Sequence, residues 1–174
     1  MKNTRPRPDE YDASFETYVS RVPETDVLAA LEHQPAELAA ALASVSPERE
    51  HHRYAPGKWS IREVVGHMLD AERVFGYRAL CVARGERASL PSFEENDYAA
   101  TAGHDLRPLA SLLEELTTLR ASHVLMFRHL EDRAWERVGT ANGRPVTPRA
   151  LAFILVGHVR HHAAVLREKY GVGI

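Results

Sequence analysis

Apolar residues recur at intervals of three and four through most of the chain, while the alternation that marks a half-buried strand is nearly absent. Leu28, Leu31, Leu38, Leu42 and Val45 trace a first helical stripe. Pro35 falls on the same stripe, where a kink or break is expected. A second stripe follows Ser60-Ile61-Arg62-Glu63, a capping box in which serine and glutamate satisfy each other's free backbone N–H groups. It should run to about Arg84 and stop at Gly85. A third begins near Pro108 and carries Leu109, Leu112, Leu113, Leu116, Phe127 and Leu130 along one side, ending around Trp135. The fourth starts at Thr147-Pro148, an N-cap followed by proline at the first helical position, and continues to about Tyr170 before Gly171. Four amphipathic helices of this length predict an all-α four-helix bundle.

The connections add topology. The stretch from Gly85 to Arg107 is longer than a helix hairpin needs. At roughly 3.3 Å per extended residue it can travel the length of a helix of about 25 residues. This permits the second and third helices to run parallel, in up-down-down-up order with a long crossover. Asn142-Gly143, within Gly139 to Arg144, predicts a tight turn or small hairpin. Residues 1–23 are richer in proline and charge and read as an N-terminal arm, leaving residues 24–174 as the bundle domain. Tyr11, Phe15, Tyr18 and Val22 recur at helical spacing, so the arm should contain a short helix that lays aromatics on the main body. Disorder is the competing reading for its first eight residues.

A chain of 174 residues can bury a sizeable single core. With 22 basic against 24 acidic side chains and a net charge of −2, it lacks the basic face of a nucleic-acid binder. The longest apolar run, Ala150 to Val156, falls far short of the roughly 20 residues that span a bilayer. Met1 to Pro6 leads into no apolar segment. A cytoplasmic protein without nucleic-acid or membrane partners is expected. Cys81, the one cysteine, suits a reducing compartment and projects away from the apolar face, so it is not proposed as a nucleophile. No Gly-x-Ser-x-Gly elbow, P-loop or Gly-x-Gly-x-x-Gly fingerprint is present.

Ten histidines are the unusual feature. On a wheel of the fourth helix, His158 and His162 flank the centre of the apolar face, whereas His161 lies on its rim. Four residues apart, the inward pair is stacked one turn apart, a geometry by which two imidazoles grip one metal ion. Two hydrogen-bonded core histidines are the alternative. His67 lies at the edge of the apolar face of the second helix, where it could supply a third ligand or be merely interfacial. Glu72 and Arg120 point inward on the second and third helices, and pairing with each other is the simplest way to bury both. His123, on the inner face of the third helix, is a reserve ligand or proton carrier. His33, His51, His52, His104 and His129 read as solvated.

The run Tyr54-Ala55-Pro56-Gly57-Lys58-Trp59-Ser60-Ile61-Arg62-Glu63-Val64-Val65-Gly66-His67 carries a further signal when taken with three others. These are Asp70-Ala71-Glu72-Arg73, Leu90-Pro91-Ser92-Phe93 and Gly157-His158-Val159-Arg160-His161-His162. Together they resemble the DinB/YfiT-like superfamily over about residues 24 to 170. The resemblance implies an up-down-down-up bundle, a homodimer in many members, and a divalent metal, commonly nickel or zinc, held by three histidines. Those positions map onto His67, His158 and His162. Glu72, Arg120, His123 and His161 are then candidates to support the ligands from outside.

Several relatives use a low-molecular-weight thiol such as bacillithiol or mycothiol. The resemblance therefore puts metal-assisted thiol transfer onto an electrophilic small molecule first. Hydrolysis comes second, by a metal that lowers the pKa of bound water toward about 7. A non-catalytic dimeric module stapled by the metal is the third reading.

Overall fold

Each long helix begins where a neighbouring group can occupy its first free N–H groups. The computed structural model of the protein describes residues 4–173. A short helix α1 (Glu16–Val19) precedes α2 (Val27–Leu42), which is capped by the Asp26 carboxylate on the Ala29 N–H. α3 (Ile61–Arg84) opens with the Ser60–Glu63 capping box and closes on Gly85 at φ 86°, the left-handed conformation glycine tolerates. After α4 (Glu95–Ala102) and α5 (Leu109–Arg128), a turn of helix α6 (Asp132–Trp135) leads to the hairpin of β1 (Gly139–Ala141) and β2 (Arg144–Val146). Its turn places Asn142 and Gly143 at φ 51° and 69°, as a tight two-residue hairpin requires. α7 (Pro148–Tyr170) starts with the Thr147 hydroxyl accepting from the Ala150 N–H.

Contacts between helices fix the order. Ile61, Val64 and Leu69 cluster with Leu109, Leu112 and Leu116, while Phe75, Ala79 and Val82 cluster with Val124 and Phe127, so α3 and α5 ascend together. α7 runs against α3, with Tyr170 near the start of α3 at Trp59 and His158 beside His67. α2 runs against α5, since Val27 and Leu31 share one buried cluster with Val124 and Phe127 while Leu38 and Leu42 share another with Leu109, Leu112 and Leu116. The result is the up-down-down-up four-helix bundle. Among the described residues, no helix is long and apolar enough to cross a membrane.

Three local expectations change. α2 passes through Pro35 without a break. Proline has no N–H for the carbonyl of Leu31, and Arg120 Nη1 reaches that carbonyl instead at 3.5 Å. The third long helix ends at Arg128 rather than near Trp135. The chain turns there, burying Leu130, and α6 lays Trp135 against Phe127 with ring centroids 5.4 Å apart. The crossover holds α4, whose sequence is mostly polar and buries only Ala99. The crossover is tied to the hairpin, where Leu90 N–H donates to the Thr140 carbonyl and Asn142 N–H to the Leu90 carbonyl, each at 2.9 Å.

The buried apolar side chains form two clusters, and the break comes at one level in all four long helices. Gln34 lies between Leu31 and Leu38, Glu72 between Leu69 and Phe75, Arg120 between Leu116 and Val124, and His158 between Leu155 and Val159. A polar layer therefore crosses the middle of the bundle. The N-terminal arm is fixed to the start of α7. Glu10 is buried and accepts from Arg149 and Thr147 at 2.6 to 3.0 Å, and Arg5 donates to the carbonyls of Val19 and Val22.

Candidate metal centre

α7 presents His158 and His162 one turn apart, and α3 presents His67 opposite them. His67 and His158 are buried and His162 half-buried. Glycines precede two of the three. A Cβ on Gly66 would overlap the His104 ring, and one on Gly157 would overlap the backbone carbonyl of Tyr18. The absence of side chains there lets the crossover and the arm close against the site.

The three Nε2 atoms converge. His158 Nε2 lies 3.0 Å from His67 Nε2 and 3.2 Å from His162 Nε2, and the three ligand atoms all lie within 4.8 Å of one another. Burial lowers the pKa of each ring. His67 falls from 6.5 to about 4, with desolvation outweighing the opposing field of Asp70. His158 lies well below its ordinary value through desolvation and then the neighbouring His162 and His67, and His162 is lowered by desolvation and then by His67 and His161. The rings are therefore neutral near pH 7.

A neutral His158 Nε2 has either one proton or one lone pair, so it cannot satisfy both close neighbours by hydrogen bonding. A divalent cation accepts a lone pair from all three. Nitrogens at about 2.0–2.1 Å from one ion stand roughly 3.0–3.4 Å apart in common coordination geometries, which matches the two separations measured from His158. The donor set fits a metal.

Aromatic rings enclose the cluster. Trp59 lies against His67 with ring centroids 4.8 Å apart, while Tyr18 and Phe75 meet His158 edge-on at 5.2 and 5.8 Å. His161 stays outside the cluster, with its ring 5.0 Å from His162 and 5.4 Å from Tyr18. A cavity of about 360 Å³ opens beside the histidines, bordered by His67, His158, Phe15, Phe75, Arg78 and Phe93 among others. A smaller cavity of about 230 Å³ reaches His162 from the side of Trp59 and Tyr170.

Glu72 and Arg120 meet in the polar layer. Arg120 Nε and Nη2 donate to the two Glu72 oxygens at 2.8 and 2.7 Å, and His123 Nδ1 lies 2.8 Å from Glu72 Oε1. Arg120 Nη1 also donates to Gln34 Oε1 at 2.9 Å, and Gln34 Nε2 to the Val156 carbonyl at 2.9 Å. Burial alone would raise the Glu72 pKa, but Arg120 and His123 hold it below its ordinary 4.5. None of these side chains reaches a ligand nitrogen. They brace α7 two residues before His158.

His104 departs from its expected solvation. It is buried against Gly66 with Nε2 2.9 Å from Asp70 Oδ2, and its Nδ1 has no partner. The missing side chain at Gly66 makes the space, a signal that a lone histidine in a long crossover does not carry. Arg78 was also missed. It stands eleven residues beyond His67, close to three helical turns, so both share one stripe of α3 and the signal was available. Tyr18 could be read only as an aromatic of the arm, because its approach to His158 is long-range.

Comparison with known proteins supplies the family. The DinB superfamily sequence pattern matches residues 30–166. A Geobacillus thermodenitrificans protein named "Putative metal-dependent hydrolase" is 25% identical over 151 residues, covering 83% of this chain and 84% of its own. A Geobacillus kaustophilus protein of the same description matches to the same extent. Among solved structures, YfiT from Bacillus subtilis, described as "a probable metal-dependent hydrolase with an unusual four-helix bundle topology", superposes with a TM-score of 0.75 at 19% identity, over 98% of this chain and 95% of YfiT. A mycothiol-dependent maleylpyruvate isomerase superposes with a TM-score of 0.68 at 16% identity, over 88% of this chain and 63% of the isomerase. With the pattern matched along most of its length, the chain belongs to the DinB superfamily.

Proposed function

We propose that this protein is a metal-dependent hydrolase acting on a small molecule, with a divalent ion held by His67, His158 and His162. The observation that carries the reading is the convergence of three neutral Nε2 atoms, with the buried rings of His67 and His158 at the wall of a cavity. A nitrogen-only donor set suits zinc or nickel. Such an ion supplies Lewis acidity, which activates water and polarises a carbonyl. The chain itself does the remaining work. Trp59, Tyr18 and Phe75 fix the imidazole planes and restrict solvent around His67 and His158. The Glu72–Arg120–Gln34 network holds α7 in register so that His158 and His162 face α3. The cavity on the His67 and His158 side is the place for the substrate.

The family resemblance places thiol transfer ahead of hydrolysis. The relatives named for hydrolysis cover nearly the whole of this chain and favour the opposite order. Thiol transfer remains the second reading, supported by the likeness to the mycothiol-dependent isomerase. The test is turnover of a panel of small carboxylic esters and amides by zinc- or nickel-loaded protein. Hydrolysis that disappears in His67→Ala is the expected result. Consumption of a thiol with an electrophile, without hydrolysis, would establish the second reading instead. Metal uptake with neither reaction would leave only the stapled module.

A further inference from the structure

Three arginines are buried among the described residues, and only two have a carboxylate. Arg120 is paired with Glu72 and Arg149 with Glu10. Arg78 is 6% exposed, yet no carboxylate lies within ion-pairing distance of it among the described residues. Its one hydrogen bond among the described residues runs from Nη2 to the Pro91 carbonyl at 2.7 Å. A guanidinium carries five N–H donors, and a buried charge without a counter-charge is costly. The chain nevertheless holds it in place. Its Cζ lies 5.7 Å from the centroid of Phe75 and 5.9 Å from that of Phe93, and those two rings meet edge-to-face at 6.4 Å.

Arg78 borders the same cavity as His67 and His158. Phe75 links the two ends, touching Arg78 on one side and His158 on the other. The other basic side chain of the cavity, Arg144, is mostly exposed and already faces Asp12 at 3.3 Å. Glu95 stands at the cavity wall and adds negative charge. A single free guanidinium among aromatic rings, with carboxylates nearby, matches one negative charge on an apolar body and disfavours a dianion. The planar fork of donors suits the two oxygens of a carboxylate.

We propose that Arg78 is the substrate-anchoring residue of this cavity, and that the substrate is an apolar, aromatic-sized small molecule bearing one carboxylate. The carboxylate sits on Arg78, the body lies along Phe75 and Phe93, and the reacting end faces His158 and His67. The placement of the reacting end rests on the reading of the histidine cluster as the reaction centre. The anion site itself does not.

Benzoate and its neutral counterpart benzamide are the probes, titrated calorimetrically into metal-free and zinc-loaded protein. Benzoate should bind saturably at one site in both forms, at least tenfold more tightly than benzamide. Arg78→Met keeps the apolar stem and removes the charge. It should weaken benzoate tenfold or more, leave benzamide unchanged and retain one equivalent of zinc. Arg144→Gln should change benzoate affinity less than twofold. His162→Ala, outside this cavity, should lose zinc yet keep benzoate binding, which separates failure of the metal reading from failure of this one. Equal affinity for benzoate and benzamide in the unaltered protein overturns the proposal, whatever the folding of the variants. So does undiminished benzoate binding by a folded Arg78→Met variant, with or without zinc.

Discussion

The polar layer of this bundle has two halves that treat buried polarity in opposite ways. Around Arg120, both Glu72 oxygens and the Gln34 amide take up guanidinium donors, and the Leu31 carbonyl freed by Pro35 is also within reach. Around His158, three imidazole nitrogens face one another with too few protons to satisfy every contact. The first half is complete within the chain and reads as structure. The second is incomplete within the chain, and on the proposed reading a cation completes it and makes it the functional half.

Breaking the first half should therefore unfold the protein, and breaking the second should not. Glu72→Ala strands the Arg120 charge and should cost about 3–5 kcal/mol in urea unfolding, with Glu72→Leu/Arg120→Met together recovering most of it. If Glu72→Ala costs no more than an ordinary surface change, the assignment of that pair to structure fails. His162→Ala should lower metal-free stability by only about 1 kcal/mol. Its zinc affinity should nevertheless fall by about a hundredfold or more, beyond the loss that follows from disturbing a ligand's outer support.

Acid separates the halves by a different route. The folded pKa of His67 is depressed to about 4 from 6.5, so the unfolded chain binds more protons in that interval. The stability that this ring contributes is present above pH 6.5 and is lost as pH falls toward 4, and zinc affinity should decline over the same range. Glu72, also depressed, should contribute fully above its ordinary 4.5 and be lost only at lower pH. Two separated acid transitions are expected, the first in metal release and the second in global unfolding by circular dichroism. Coincident transitions would join what the account keeps apart. A smaller effect than that of Glu72→Ala should come from Gln34→Leu, which cuts the bridge from Arg120 to the Val156 carbonyl. A cost of about 1–2 kcal/mol is expected, with zinc affinity changed by less than about threefold.

Much of this is legible in the sequence. The caps at Ser60 and Thr147 located two long helices. Inward placement of Glu72 and Arg120 foretold their pairing, because burial without it is prohibitive. His158 and His162 could be placed on one face by periodicity, while His67 needed the family resemblance to join them. The rest depended on space rather than pattern. The packing of His104 follows from a missing Cβ at Gly66, and that of Tyr18 from another at Gly157. α4 was hidden because its face buries almost nothing. The end of α5 at Arg128 lacks the glycine or proline that would announce it, and burial of Trp135 decides it instead.

The central claim is that the histidine half of the layer is built for one divalent ion. Zinc titration of chelator-treated, untagged protein, read by calorimetry and by thermal unfolding, tests it most directly. The account predicts one equivalent bound and an unfolding midpoint raised by roughly 5–10 °C at an ion concentration about a hundred times the Kd, with both effects absent in His67→Ala/His158→Ala/His162→Ala. Failure of the unaltered protein to take up zinc or nickel, or equal uptake by the triple variant, would contradict it.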